Sequence, residues 1–275
     1  MICPWKELLG ILPSWLRPEV DALGKETLQE LRLRCNAPPE LLLMGKSHWL
    51  HREVSREDIR FVINAASQYS PWTAATISKG FLTAPGGHRI GLCGEASCRE
   101  GILTGIHDPT SLCIRVCRDF PGIAESLLPL TGSMLILGAP GWGKTTLLRD
   151  LSRQISRQEC VGVVDERGEV FPPGISRGKR MDVITGCPKG EGIEVVLRSM
   201  SPEWIAVDEI TAESDCNAIR SAVGCGVRLL ATAHAATRED LYARPIYRPL
   251  MELGVFPYLC ILKRDKSYLV ERIGL

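Results

Sequence analysis

Residues 138–145 read Gly-Ala-Pro-Gly-Trp-Gly-Lys-Thr, and no other stretch limits so strongly what this chain can fold into. The spacing is G-x-x-x-x-G-K-S/T. An apolar run, residues 134–137, precedes it, and Thr146, Leu147, Leu148 and Leu151 follow it. The order is strand, glycine-rich loop, helix start. A loop of this kind curls so that several backbone N–H groups point inward at a phosphate, and the helix N-terminus adds its partial positive charge at the same place. On this reading Gly138, Ala139, Pro140, Gly141, Trp142, Gly143, Lys144, Thr145 and Thr146 cradle a nucleotide, ATP. Lys144 reaches the β- and γ-phosphates from a solvent-facing position, and the Thr145 hydroxyl completes a Mg²⁺ shell otherwise filled by phosphate oxygens and water. A glycine turn with a solvated lysine is the plainer alternative. The strand–loop–helix context favours the phosphate.

A chain of 275 residues has room for one or two domains. With 45% hydrophobic and 24% charged residues it has the composition of a globular protein. Its net charge of +1 leaves no global pull toward nucleic acid or anionic lipid, so any such contact is local. No apolar run approaches the ~20 residues of a membrane helix, and the N-terminus lacks the basic-then-apolar layout of an export signal. A soluble, cytoplasmic protein able to dock on a membrane partner is expected. The eleven cysteines are scattered and are expected to stay reduced, packing as small hydrophobes. Zinc is weighed only at Cys93, Cys98, Cys113 and Cys117, whose spacings are not the two-residue knuckle of most structural sites. Cys113 and Cys117 read as one strand face with Arg115 between them.

Residues 1–121 carry no catalytic motif. Apolar residues at helical spacing mark short helices near Leu8 and Val20, broken by Pro13 and Pro18. Residues 30–35 and 40–44 read as strands. Ser55 reads as the N-cap of a helix that buries Ile59, Phe61, Val62, Ile63 and Ala66. Residues 81–83 and 88–92 flank a Pro-Gly-Gly turn as a hairpin, and residues 101–105 and 111–118 add strand segments. This is a small α+β module with a mostly antiparallel sheet. The pattern changes at residues 119–122, so residues 122–275 are taken as a second domain, opened by a short helix over residues 123–128. There strands at 134–137, 161–165, 204–208 and 228–232 alternate with helices at 144–157, 190–200 and 213–223, the signature of a mostly parallel sheet.

Ligands of such sheets bind at the carboxyl ends of the strands. The first strand ends in the glycine loop, the second in Asp165, Glu166 and Arg167, the third in Asp208 and Glu209, and the fourth in Thr232 and His234. Asp208 is placed to hold Mg²⁺ through its water shell, and Glu209 to orient or deprotonate an attacking water. His234 and Thr232 are placed to sense the γ-phosphate. A helix cap or a structural histidine accounts for each of these alone, but a cap has no reason to recur at every strand end beside a phosphate loop.

With these residues in view, the chain resembles the stage III sporulation protein AA family, related to secretion and type IV pilus ATPases in the additional-strand branch of P-loop NTPases. The resemblance runs over nearly the whole chain. It rests on E-L-R-L-R-C-N, F-L-T-A-P-G-G-H-R-I-G-L and I-R-V-C-R-D in the first domain. In the second it rests on G-A-P-G-W-G-K-T-T-L-L-R-D, V-V-D-E-R, D-V-I-T-G-C-P-K-G-E-G, R-S-M-S-P-E-W-I-A-V-D-E-I and A-T-A-H. It implies a RecA-like P-loop ATPase domain, with a mostly parallel sheet flanked by helices, after a smaller α+β domain. It also implies that Asp165 and Glu166 form an acidic box beside the nucleotide, that His234 forms a histidine box, and that Arg115 and Arg118 reach toward the nucleotide. For the two arginines a solvated strand face is an equal alternative. Glu166 stands behind Glu209 as the next candidate base. The resemblance further implies a homo-oligomeric ring, a hexamer, working with membrane channel proteins in the mother cell of a spore-former. Trp142 departs from the family at a loop position that is usually small or aliphatic.

The leading function is therefore an ATP-hydrolysing motor subunit of a secretion-like channel assembly. A nucleic-acid translocase is one alternative, opposed by the near-zero charge and by the lack of an aromatic-plus-basic strip; its one basic cluster, at residues 177–180, reads as a solvated loop. A nucleotide-gated scaffold with little turnover is the other, opposed by Glu209.

Overall fold

The computed structural model describes residues 1–68, 80–100 and 102–273. Two compact units emerge: Met1–Asp119 with Pro172–Ile175, and Phe120–Phe171 with Ser176–Leu275.

The first unit opens with helices α1 (Trp5–Ile11) and α2 (Leu16–Leu23). Strands β1 (Leu28–Arg34), β2 (Glu40–Leu43) and β3 (Lys46–Trp49) precede helix α3 (Arg56–Ser67); β4 (Phe81–Thr83), β5 (Arg89–Arg99) and β6 (Ile102–Arg115) follow it. The six strands form one antiparallel sheet in the order β3-β2-β1-β6-β5-β4. β1 buries Leu31 and Leu33 by alternation, and Leu28 as well because the register shifts between Leu28 and Glu30. In α3, Ser55 and Asp58 form a reciprocal capping box. Ile59, Val62 and Ala66 face inward, whereas Phe61 is 43% exposed. At 100° per residue Phe61 stands on the opposite side from Ile59, which corrects the expectation that it is buried. Of the expected segments, residues 89–92, 102–105 and 111–115 belong to a single long hairpin of β5 and β6, and Gly101 lies outside the described residues. β6 ends at Arg115, so Cys117 lies beyond the strand rather than on its face. Cys93 and Cys98 are separated along β5, and among the described residues no group of His, Cys, Asp or Glu forms a metal cluster.

The second unit is a seven-stranded sheet of β7 (Met134–Leu137), β8 (Val161–Asp165), β9 (Met181–Thr185), β10 (Trp204–Val207), β11 (Arg228–Ala233), β12 (Tyr258–Leu262) and β13 (Tyr268–Arg272). Their order is β13-β12-β7-β11-β10-β8-β9, and every pairing is parallel except that of β12 with β13. Helices α4 (Lys144–Ile155), α5 (Lys189–Met200) and α6 (Glu213–Gly224) connect strands, and α7 (Arg238–Ala243) and α8 (Arg248–Glu252) lead into β12. The central strands are buried throughout, as a parallel sheet covered on both faces requires. Residues 123–128 form a single 3₁₀ turn at Glu125–Leu127 rather than an α-helix. This unit is an α/β domain with a mostly parallel sheet, and the other is a smaller α+β unit. One detail of strand order decides the site. β11 lies between the phosphate-loop strand β7 and the strand β10 that leads to Asp208. Among the described residues no helix is long and apolar enough to cross a membrane.

Candidate nucleotide site

The loop after β7 turns through Gly141 (φ +76°) and Gly143 (φ +101°), left-handed values that a side chain resists, and α4 begins at Lys144. Lys144 is only 7% exposed. Its ammonium donates to the carbonyls of Gly138 (2.8 Å) and Ala139 (3.3 Å) and lies 3.1 Å from Nδ1 of His234. The solvent-facing lysine read from the sequence is therefore corrected: a flexible side chain that finds three acceptors folds over the loop. Burial pulls its pKa down, opposed by the carboxylates of Asp208 and Glu209.

Asp208 is the hub of the site. Thr145 Oγ1 donates to its Oδ2 at 2.9 Å, and Thr232 Oγ1 donates to its Oδ1 at 2.7 Å. Burial pushes its carboxyl pKa up; the two hydroxyl bonds oppose this, and the neighbouring charges of Asp165 and Glu209 add to it. Thr232 reaches Asp208 because β11 runs beside β10, and it is fully buried. The same hydroxyl accepts the N–H of Glu209 at 2.7 Å. Thr232 thus brackets the two acids from the neighbouring strand.

Glu209 adopts φ +59°, unusual for a residue with a side chain and a strain of about 1–3 kcal/mol. Its Oε1 lies 2.7 Å from Nε2 of His234, and its Oε2 lies 4.0 Å from Arg167. An ammonium only donates, so Nδ1 of His234 accepts from Lys144 and Nε2 carries the hydrogen given to Glu209. The histidine ties the loop lysine to the acid. A cleft of about 20 Å³ lined by Glu166, Arg167, Lys189, Asp208 and Glu209 lies alongside. That volume holds about one water.

The acids after β8 are used differently. The Asp165 carboxylate accepts the backbone N–H groups of Glu169 (2.8 Å), Val170 (3.0 Å) and Phe171 (2.9 Å) and is 1% exposed. Burial raises its pKa against those bonds. Arg149 of α4 holds the same loop from the carbonyl side, at Glu169 (2.8 Å) and Val170. Glu166 is paired at 2.6 Å with Lys189, the first residue of α5 and 6% exposed. Tyr247, buried, donates to the carbonyl of Ile210 at 3.1 Å and so steadies the residue after Glu209. Sequence reasoning missed Arg149, Lys189 and Tyr247. Lys189 stood within the quoted block P-K-G-E-G, but its partner was invisible until the strands were ordered.

Lys144, Thr145, Asp208, Glu209, Thr232 and His234 are thus joined by direct bonds, and Glu166 sits across the small cleft. Trp142 is half-buried and lines a cavity shared with Tyr268. Arg115 and Arg118 belong to the first unit and are engaged within it: Arg115 pairs with Glu30 at 3.7 Å, and Arg118 donates to the carbonyls of Lys25 (3.0 Å) and Leu28. In the basic loop, Arg180 donates to the carbonyl of Gln158, while Arg177 and Lys179 are exposed. A hydroxyl and a carboxylate side by side are hard oxygen donors, and the pair Thr145–Asp208 suits Mg²⁺.

Known proteins resemble the chain over most of its length. Residues 7–270 match the family described as sporulation stage III, protein AA. The stage III sporulation protein AA of Bacillus subtilis (strain 168) is 36% identical over 281 residues, covering 95% of this chain and 92% of that protein. Among solved structures, the ATPase DotB of Legionella pneumophila is similar with a TM-score of 0.64 at 18% identity, over 95% of this chain and 80% of that one. The pilus retraction motor PilT with bound ADP has a TM-score of 0.61 at 12% identity, over 98% and 82%. At those identities the likeness is one of fold.

Proposed function

Since the chain belongs to the sporulation stage III protein AA family, we propose that it is an ATP-hydrolysing motor subunit of a membrane-associated, secretion-like assembly used in sporulation. The observation that carries the reading is the position of Glu209, fixed by His234 and by its own N–H to Thr232, directly after an aspartate already paired with the loop threonine. Gly138–Thr146 of the loop hold the phosphates, with Lys144 leaving its carbonyl partners for them, and Thr145 and Asp208 hold Mg²⁺, which supplies charge neutralisation at the phosphates. Glu209 takes the proton of a water in the adjoining cleft while His234 keeps its other oxygen oriented. Glu166, held by Lys189, borders the same cleft and leaves the role of base to Glu209. Arg115 and Arg118 are proposed as charges that meet the γ-phosphate in the assembled protein.

PilT is a motor by its own description; the family resemblance leads us to propose further a homo-oligomeric ring, a hexamer, docked peripherally on membrane channel proteins. The test is a titration of the full chain with ATP and Mg²⁺, followed by hydrolysis assays. The wild type binds and turns over ATP, and Lys144→Ala loses binding while its circular dichroism is unchanged. Wild-type affinity in Lys144→Ala would overturn the assignment.

A further inference from the structure

We infer that a cavity beside the phosphate loop takes the nucleoside base by stacking and does not read its edge, so that the chain binds ATP and GTP alike. This rests on the nucleotide reading above and deepens it by naming the substrate class as purine nucleoside triphosphates.

The cavity measures about 370 Å³, within the ~300–1,000 Å³ of small-ligand sites. Its walls are Phe120, Ile123, Trp142, Leu262, Lys266 and Tyr268, and Gly141, Gly143 and Thr146 of the phosphate loop border it as well. A ligand anchored by its phosphates in that loop therefore has this space as its neighbour. Phe120, Trp142 and Tyr268 bring three aromatic rings to the lining, and a planar base stacks on such rings. Trp142 is delivered there by the loop itself, between two left-handed glycines, which explains how so large a side chain is accommodated in a phosphate loop. Ile123 is 40% exposed on the rim, apolar surface that a base would cover.

The polar side chains decide the selectivity. Lys266 donates to the carbonyl of Gly141, and the Tyr268 hydroxyl is bonded to Ser126 Oγ. Both groups that reach the cavity from β13 and the turn before it are already engaged. A hydroxyl such as that of Thr146 both donates and accepts, and serves an adenine or a guanine edge equally. A site that reads edges through buried hydrogen bonds rejects the wrong partner by ~10⁴-fold or more, whereas shape and stacking give ~10²-fold or less. The larger purine face gains more from three rings than a pyrimidine does.

The experiment measures Mg²⁺-dependent binding of ATP, GTP, CTP, UTP and inorganic tripolyphosphate to the full chain, as wild type, Trp142→Ala and Trp142→Phe. The expected result is that ATP and GTP bind within about tenfold of one another and tighter than CTP and UTP. Trp142→Ala weakens both purines by about 5- to 150-fold more than it weakens tripolyphosphate, and Trp142→Phe restores them. Tripolyphosphate weakened as much as ATP in Trp142→Ala would show that Trp142 shapes the loop instead, and would overturn the inference. So would a preference for ATP over GTP of ~10⁴-fold. Failure of every probe, tripolyphosphate included, would overturn the nucleotide reading and this inference with it.

Discussion

Asp165-Glu166 and Asp208-Glu209 are the same dipeptide at the ends of paired parallel strands, and the register Val164↔Val207 sets them side by side. They do different work. After Asp165 the chain makes a tight turn through Gly168 (φ +67°) and returns three N–H groups to the aspartate, which is thereby consumed as an anchor. After Asp208 the left-handed Glu209 sends the chain toward β11, where the N–H of Ile210 meets the carbonyl of Thr232, and the carboxylate accepts from two hydroxyls instead. The glutamates diverge as well: one faces a lysine that neutralises it, the other a histidine that orients it. The type of a side chain at a strand end states what it can do; the path of the next few residues states what it does.

The contrast is open to attack by substitution, beginning with its largest expected effect. Glu209→Gln keeps size and hydrogen bonding but removes the base, so single-turnover ATP hydrolysis is expected to fall by ~10²–10⁴-fold with binding kept. Wild-type hydrolysis in this variant would erase the distinction between the two glutamates. Asp165→Ala leaves three backbone N–H groups without their acceptor in a buried place, at about 1–3 kcal/mol each. Urea unfolding is expected to show a loss of several kcal/mol, whereas Asp208→Asn is expected to register as a higher Mg²⁺ requirement for hydrolysis. Equal unfolding losses in the two variants would break the comparison.

Smaller effects sharpen it. Thr232→Val keeps the shape but strips one bond from Asp208 and one from Glu209, a loss of about 1–3 kcal/mol that should appear in both turnover and Mg²⁺ titration. Glu166→Gln removes the charge facing Lys189; a charge-assisted bond is worth about 1.5–3 kcal/mol, less here because Glu166 is 39% exposed. Its hydrolysis rate should stay near that of the wild type, and a fall as deep as that of Glu209→Gln would make Glu166 the base.

Much of this was legible in the sequence. The phosphate loop, the four strands of the second unit's centre and the acids at their ends follow from local pattern, because glycine spacing and apolar runs are local properties. Strand order is not. That β11 separates β7 from β10, making Thr232 the neighbour of Asp208, depends on how the crossovers pack and leaves no mark in any short window. β3, an exposed Lys-Ser-His-Trp edge, lacks apolar alternation, and β9 was read as part of a motif block rather than as a strand. The anchoring of Asp165 and the pairing of Glu166 with Lys189 were hidden because they depend on where a loop and a helix start return in space.

The bracket at Thr232 also limits how this site can change over generations. A single oxygen donates to one acid and accepts from the backbone of the next, so a replacement there alters metal affinity and proton transfer together. Serine alone keeps a hydroxyl on the same carbon. Lineages of this family are therefore expected to vary elsewhere, at Arg167 or His234, where one function can drift while the other is held.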